Sequence, residues 1–173
     1  MKQVGILGGS FNPPHQGHSA ILRYVLEQGL VEEVWVLPVF KHPFEKVLAP
    51  FESRLEMCTL ALGSMERVKI CDIEKQLGGV SYTQRTLSEL QKLNSDISFS
   101  IIVGDDAYQE RHLWKEIQML EKMARWIRIP RGPGSPIPDI SARQIREYLA
   151  TGKSVSHWLD PRVLQYIQQH KFF

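Results

Sequence analysis

The chain has 173 residues, of which 43% are hydrophobic and 23% are charged, and its net charge is +2. These values are typical of a globular protein with a sizeable core, and the charge is too small to indicate nucleic-acid binding by itself. No apolar run approaches the ~20 residues of a membrane span. The two cysteines lack the spacing of a metal or redox motif, so we expect reduced thiols and a cytoplasmic location.

The N-terminal half alternates between strand-like and helix-like segments. A short apolar run over 2–7 predicts a buried strand, and apolar residues at helical spacing over 16–28 predict the first helix. A second strand is predicted over 31–38. Proline at a helix start, followed by helical spacing, predicts a helix over 50–62, and alternating residues predict a strand over 67–73.

The segments that follow continue this alternation. Ser81 followed by Gln84 is a capping-box pattern, which predicts a helix from there to about residue 93. A buried strand is predicted over 97–104, a helix over 113–120 and a further strand over 124–129.

The C-terminal part is predicted to be helical from about residue 141. Ser141 with Gln144 is a second capping-box pattern, Gly152 ends that helix, and Asp160 before a proline opens the last one. Because strands and helices alternate throughout, we predict a single α/β domain over 1–173. It is expected to be Rossmann-like, with a mostly parallel sheet flanked by helices and ligands bound at the carboxyl ends of the strands.

The densest pattern is GGSFNPPHQGH at residues 8–18, directly after the first strand. Glycines let a ligand approach the backbone, and free N–H groups before a helix attract phosphate. His15 and His18 are three residues apart, which places both rings on one face of a helix. There they can donate to phosphate oxygens and stabilise charge in a phosphoryl-type transition state. P-loop and dinucleotide-binding motifs are absent, and no third ligand has a spacing that indicates a metal site.

Four separated segments resemble one family. GGSFNPPHQGH resembles the (H/T)xGH loop of the nucleotidyltransferase superfamily, and the later matching segments are SYTQRTL (81–87), VGDDAYQERHLW (103–114) and ISARQIR (140–146). Together they are similar to bacterial nicotinate-nucleotide adenylyltransferases over nearly the whole chain. The resemblance implies direct transfer of the adenylyl group of ATP to nicotinate mononucleotide, with pyrophosphate as leaving group and Mg²⁺ accompanying the ATP phosphates.

The resemblance also implies roles for individual residues. His15, His18 and Arg146 correspond to the catalytic side chains, and the implied ATP-binding residues are Gly9, Ser10, Phe11, His15, His18, Gly104, Asp106, Ser141 and Arg146. The implied mononucleotide-binding residues are Tyr82 and Thr83, through backbone amides on the nicotinate carboxylate, and Trp114, stacked on the pyridine ring. Taken alone, Ser141 is also explained as an ordinary helix cap and Trp114 as a core residue.

Two segments depart from the family pattern. Lys41, His42 and Lys46 follow the second strand in place of the family's usual run, and the sequence does not tell which of them contacts phosphate. The segment between Gly134 and Ile140 is shorter than the family's, which leaves substrate preference and homo-oligomer formation open.

Other functions fit the same residues. Nicotinamide mononucleotide or another phosphate acceptor would use the same chemistry. A non-catalytic nucleotide-binding module is a second alternative. In one version of it, Trp126 and the neighbouring Arg125, Arg128 and Arg131 contact nucleic acid, although no nucleic-acid partner is expected. Those arginines are also explained as a solvated basic edge, or one of them faces the mononucleotide phosphate.

Overall fold

The computed structural model describes residues 1–44 and 46–173. These residues form five strands, which are β1 (Lys2–Gly9), β2 (Glu33–Pro38), β3 (Val68–Ile70), β4 (Ile97–Gly104) and β5 (Arg125–Ile129). They also form α1 (Gln16–Glu27), α2 (Phe51–Leu62), α3 (Ile73–Leu77), α4 (Thr83–Leu93), α5 (Asp105–Gln109), a 3-10 turn (Arg111–Leu113), α6 (Ile117–Met123), α7 (Ala142–Ala150) and α8 (Pro161–His170).

The five strands make one parallel sheet with the order β3-β2-β1-β4-β5. β2 and β3 lie on one side of β1, and β4 and β5 lie on its other side. The strand order therefore reverses between β1 and β4, and a crevice opens there at the carboxyl ends of the strands. The loop after β1 and Gly104, the last residue of β4, both lie at this crevice.

Alternating side chains of the strands build a core on each face of the sheet. Leu7, Val36 and Ile102 pack with α1 and α2 on one face, whereas Ile6, Leu37 and Ile101 pack with α4 and α6 on the other. This two-sided burial explains why the strands read as nearly continuous apolar runs rather than as an apolar–polar alternation. The predicted α/β architecture with a parallel sheet flanked by helices is confirmed.

The C-terminal helices pack away from the sheet. Residues of α7 and α8, among them Ile145, Val163 and Ile167, form a third buried cluster with Met57 of α2. The two predicted starts are confirmed, because the Ser141 hydroxyl accepts from the N–H of Gln144 at 3.4 Å and the Asp160 carboxylate accepts from that of Arg162 at 2.8 Å. Among the described residues, no helix is long and apolar enough to cross a membrane.

Three predicted elements differ in the structure. The strand predicted over 67–73 pairs only over Val68–Ile70, since Ile73 turns into the core as the first residue of α3. The helix predicted over 113–120 begins only at Ile117, because Trp114 is extended and Glu116 is left-handed, with φ of 57°. The capping box predicted at Ser81 does not form.

Candidate functional site

The loop after β1 leads into α1 through two histidines that cap each other's backbone. His15 is the N-cap residue, and its Nδ1 accepts from the N–H of Gly17 at 3.1 Å. His18, three residues later, accepts from the N–H of His15 on its own Nδ1 at 3.0 Å. The two rings stack with centroids 3.9 Å apart. The capping box that serine and glutamate usually form is thus built here from two imidazoles.

These two hydrogen bonds decide which tautomer each histidine adopts. An Nδ1 that accepts a hydrogen bond carries no proton, so a neutral ring has its proton on Nε2. His15 and His18 therefore each hold an Nε2–H donor in a fixed direction, while the backbone holds the opposite side of the ring. Two donors arranged in this way suit the oxygens of a phosphate.

Both histidines are neutral at physiological pH. Burial, and after it the positive charge of Arg131, lowers the pKa of His15 to about 4. Burial, then His15, then Arg131 lower the pKa of His18 well below its ordinary value. A neutral imidazole can still donate from Nε2. The predicted role of both histidines as hydrogen-bond donors therefore needs no imidazolium charge.

The low pKa of His15 predicts an acid-dependent loss of stability. The unfolded chain takes up a proton near the ordinary value of 6.5, and the folded chain only near 4, so protons favour unfolding between these values. We expect the free energy of unfolding to fall as pH drops from about 7 to about 4.5, with His15 accounting for about 2 kcal/mol of the loss.

Urea unfolding of the wild type and His15→Gln at the two pH values measures this contribution. Carboxylates titrate in both proteins and cancel in the comparison, so the variant should lose about 2 kcal/mol less on acidification. Equal losses in the two proteins would contradict the low pKa of His15.

Gly17, between the two histidines, has no room for a side chain. A Cβ at this position would lie 2.8 Å from Cε1 and 2.9 Å from Nδ1 of His15. Gly17→Ala therefore forces the His15 ring to move, and we expect kcat to fall about tenfold or more, since small misplacements at a reacting centre are costly. Stability should hold, because alanine favours the helix.

Steady-state kinetics with thermal unfolding tests this effect, and Gln16→Ala in the same turn of α1 is the matched control. A wild-type kcat for Gly17→Ala would show that the position of the His15 ring is unimportant.

Two arginines bring other parts of the chain to this loop. Arg146 of α7 donates through Nη1 to the carbonyl of Asn12 at 2.8 Å. Arg131 lies close enough to both histidines to act on their pKa values, and its Nε is 3.2 Å from the Cβ position of Gly104. We call this region, with His15 and His18, the phosphate half-site.

The remaining residues predicted for ATP differ in exposure, and Phe11 is buried in the core cluster that includes α1. Gly104 is the N-cap of the five-residue α5, and the exposed Asp106 lies in the first turn of α5. The adjacent Asp105 accepts from Nε of Arg128 at 3.1 Å, so its carboxylate is already engaged. Ser141 caps α7, the helix that carries Arg146.

A cavity of about 420 Å³ adjoins the phosphate half-site. The residues predicted for the mononucleotide, Tyr82, Thr83 and Trp114, all line it, as do Gly9, the last residue of β1, and Ser10 of the loop that follows. We call this cavity the acceptor half-site. The residues predicted for the mononucleotide thus share one cavity, and Gly9 and Ser10, which were predicted for ATP, line it as well.

The helix that opens onto the acceptor half-site has no side-chain cap. Tyr82 is the N-cap of α4, and no side chain of the described residues accepts from the first-turn N–H groups. The Ser81 hydroxyl, which the sequence suggested as the cap, instead accepts from the N–H groups of Phe40 at 3.0 Å and Lys41 at 3.2 Å. The N-terminus of α4 is thus left available to an anion.

The structure separates the cationic candidates that the sequence left open. His42 lines the cavity, whereas Lys41 and Lys46 are exposed and lie outside its lining. Of the arginines near β5, Arg125 donates to the Leu30 carbonyl and Arg128 pairs with Asp105. Only Arg131 of these three is placed beside the histidines.

The sequence assigned no role to several residues of the site. Lys115 and Glu74 line the cavity, and the nearly fully buried Arg54 lies below the loop after β1. Lys115 and Glu74 belong to no spacing pattern that indicates chemistry. Arg54 begins the segment RLEM (54–57), which also fits the family pattern, but its contact to Ser10 joins residues 44 positions apart. In residues 1–44 and 46–173, no three His, Cys, Asp or Glu side chains are grouped as metal ligands.

Comparisons with known proteins agree with this geometry. The cytidylyltransferase-like family model matches residues 6–148. A protein of Anaeromyxobacter dehalogenans (strain 2CP-C) named "Probable nicotinate-nucleotide adenylyltransferase" is 39% identical over 181 residues, covering 99% of this chain and 97% of the relative. A protein of Myxococcus xanthus with the same name is 35% identical over 179 residues, covering 99% and 94%.

A solved structure supports the fold. The Plasmodium falciparum nicotinic acid mononucleotide adenylyltransferase complexed with NaAD superposes with a TM-score of 0.83, covering 99% of this chain and 97% of that one, at 20% identity. The bacterial relatives are matched over almost their full length.

Proposed function

Because the chain belongs to the cytidylyltransferase-like family and, within it, to the nicotinate-nucleotide adenylyltransferases, we propose that it transfers the adenylyl group of ATP to nicotinate mononucleotide. The observation that carries the proposal is the loop after β1, which bears two aligned Nε2–H donors and also lines the acceptor half-site. One loop can thus meet both the phosphates of ATP and the phosphate of the acceptor.

The proposed reaction needs no nucleophile from the protein. An oxygen of the mononucleotide phosphate attacks the α-phosphorus of ATP, the bond from that phosphorus to the bridging oxygen breaks, and pyrophosphate leaves with the bond's electron pair. Catalysis then depends on alignment and on stabilising charge. The residues proposed to bind ATP are Gly9, Ser10, Phe11, His15, His18, Gly104, Asp106, Ser141 and Arg146.

The two histidines would act as fixed neutral donors. Their Nε2–H groups would bind phosphate oxygens and stabilise the charge that grows on the departing pyrophosphate, with no proton gained or lost by the ring. Arg146 would add a permanent positive charge from α7. His15, His18 and Arg146 are therefore the proposed catalytic residues.

Magnesium is proposed to arrive with ATP. The described residues offer no cluster of three metal-ligating side chains, and Mg²⁺ bound to nucleotides commonly keeps phosphate and water ligands. The ion would neutralise charge on the triphosphate, while the histidines and Arg146 orient it.

The acceptor half-site is suited to an acid rather than an amide. The first turn of α4 has no side-chain cap, and its first residues, Tyr82 and Thr83, line the cavity together with Lys115. A carboxylate accepts from backbone N–H donors about twice as strongly as a neutral amide oxygen. Trp114 lines the same cavity, where we propose that its ring stacks on the pyridine.

Pyrophosphate release with ATP and Mg²⁺ tests the function, with nicotinate mononucleotide and nicotinamide mononucleotide compared as acceptors. Turnover with the acid and little with the amide is expected, and comparable turnover with both would contradict the proposed selectivity. ATP binding without turnover of either acceptor would favour a non-catalytic module. We expect the protein to act in the cytoplasm.

A further inference from the structure

We propose that Arg54 and Glu74 are positioning residues that hold the two ends of the segment between β2 and α2 and thereby align the phosphate half-site with the acceptor half-site. Neither residue is proposed to touch the reacting atoms. The substrates assigned to each half-site rest on the proposed function, whereas the contacts of Arg54 and Glu74 do not.

Arg54 joins the far end of this segment to the loop after β1. Its side chain is only 1% exposed, although arginine is rarely buried. Nε donates to the Ala49 carbonyl and Nη1 to the Ser10 carbonyl, both at 2.9 Å. A methionine would fill similar space, but it has no donor to connect these two loops.

Glu74 joins the near end of the segment to α4. It is 8% exposed, and its Oε2 accepts from the N–H of Phe40 at 3.2 Å while its Oε1 accepts from the Thr86 hydroxyl at 3.2 Å. Burial raises the pKa of Glu74, and hydrogen bonds from Ser81, Phe40 and Thr86 and the charge of Arg54 oppose that rise. The carboxylate thus connects the segment to the helix that opens onto the acceptor half-site.

Hydrogen bonds from backbone N–H groups also join this segment to β1, to the loop after β1 and to the start of α4. The N–H of Val39 donates to the Gly9 carbonyl at 2.9 Å, and the N–H of Ala49 donates to Oδ1 of Asn12 at 3.0 Å. On the other side, the N–H of Ser81 donates to the Lys41 carbonyl at 2.9 Å. The near end of the segment therefore contacts the last residue of β1 and the start of α4, and the far end contacts the loop after β1.

The arrangement predicts different kinetic defects for the two residues. Arg54→Met removes the contact to Ser10, which lines the acceptor half-site and leads to the histidines, so we expect the KM for ATP to rise about tenfold and the KM for the mononucleotide to rise by a smaller factor. Glu74→Ala releases α4 from Phe40, so we expect the opposite pattern, with the KM for the mononucleotide raised about tenfold.

Conservative variants separate positioning from folding. Glu74→Gln keeps an acceptor for the N–H of Phe40, and its amide can donate to the Thr86 hydroxyl, so we expect near wild-type kinetics. Arg54→Lys reaches one carbonyl instead of two, and we expect an intermediate KM for ATP. Glu56→Ala, an exposed residue on the same helix as Arg54, is the matched control.

Initial rates with each substrate varied in turn, together with thermal unfolding, complete the test. If the wild type does not use nicotinate mononucleotide, the proposed function fails. The effect of Arg54 on ATP is then measured as the affinity of Arg54→Lys for a non-hydrolysable ATP analogue, compared with that of the wild type. If the wild type is active but Arg54→Lys and Glu74→Ala change both KM values equally, or change only stability, the positioning proposal is overturned.

Discussion

Replacing His18 by alanine is expected to lower kcat by about 10² or more while the protein stays folded. The variant loses an Nε2–H donor whose direction is set by the hydrogen bond from the N–H of His15 to Nδ1, at 3.0 Å. Losing that cap contact should cost only about 1 kcal/mol of folding stability. Pyrophosphate release under saturating substrates measures the effect on kcat.

Two further substitutions distinguish the two sides of the ring. An asparagine at 18 can replace the Nδ1 acceptor but not the distal donor, so His18→Asn should be stable and slow. His18→Gln extends an N–H group towards the position of Nε2 and should retain more activity than alanine does. His170→Ala, on an exposed histidine at the end of α8, is the control. A near wild-type rate for His18→Asn would remove the donor from the mechanism.

Replacing Trp114 by alanine is expected to raise the KM for nicotinate mononucleotide by about ten- to a hundredfold with little change in the KM for ATP, since stacking on an aromatic ring contributes about 1–3 kcal/mol per base. Trp114 lines the acceptor half-site, and its ring lies 5.4 Å from that of Trp126 between centroids. This packing holds the indole in place before the substrate arrives.

Initial-rate kinetics in both substrates measure the effect, and Trp114→Phe, which keeps a smaller aromatic face, should lie between the wild type and alanine. A raised KM for ATP with an unchanged KM for the mononucleotide would show that the indole faces the other half-site. Unchanged values for both would mean that Trp114 only completes the core.

Local patterns predicted those parts of the molecule that local interactions determine. The strand–loop–helix at residues 8–18 was visible because glycine, proline and histidine at these spacings restrict the backbone by themselves. The parallel sheet was predicted because strand-like and helix-like apolar segments alternate along the chain. The resemblance to nicotinate-nucleotide adenylyltransferases is confirmed by relatives matched over nearly the whole chain.

The misplaced features depend on contacts between distant residues. Ser81 has the pattern of a helix cap, but its hydroxyl is taken by N–H groups about 40 residues earlier in the chain. The donors of Arg54 and the carboxylate of Glu74 likewise meet partners that only the folded sheet brings near. The variants above test the proposed roles of the individual site residues.

The two outer strands of the sheet affect whether two molecules can associate through their strand edges. An open strand edge is a template for pairing with another chain, and short or charged edges discourage it. β3 is only three residues long and carries the exposed Lys69 at its centre, while β5 carries the exposed Arg125 and Arg128. Both borders of the sheet therefore carry long charged side chains, which discourage two copies from pairing edge to edge.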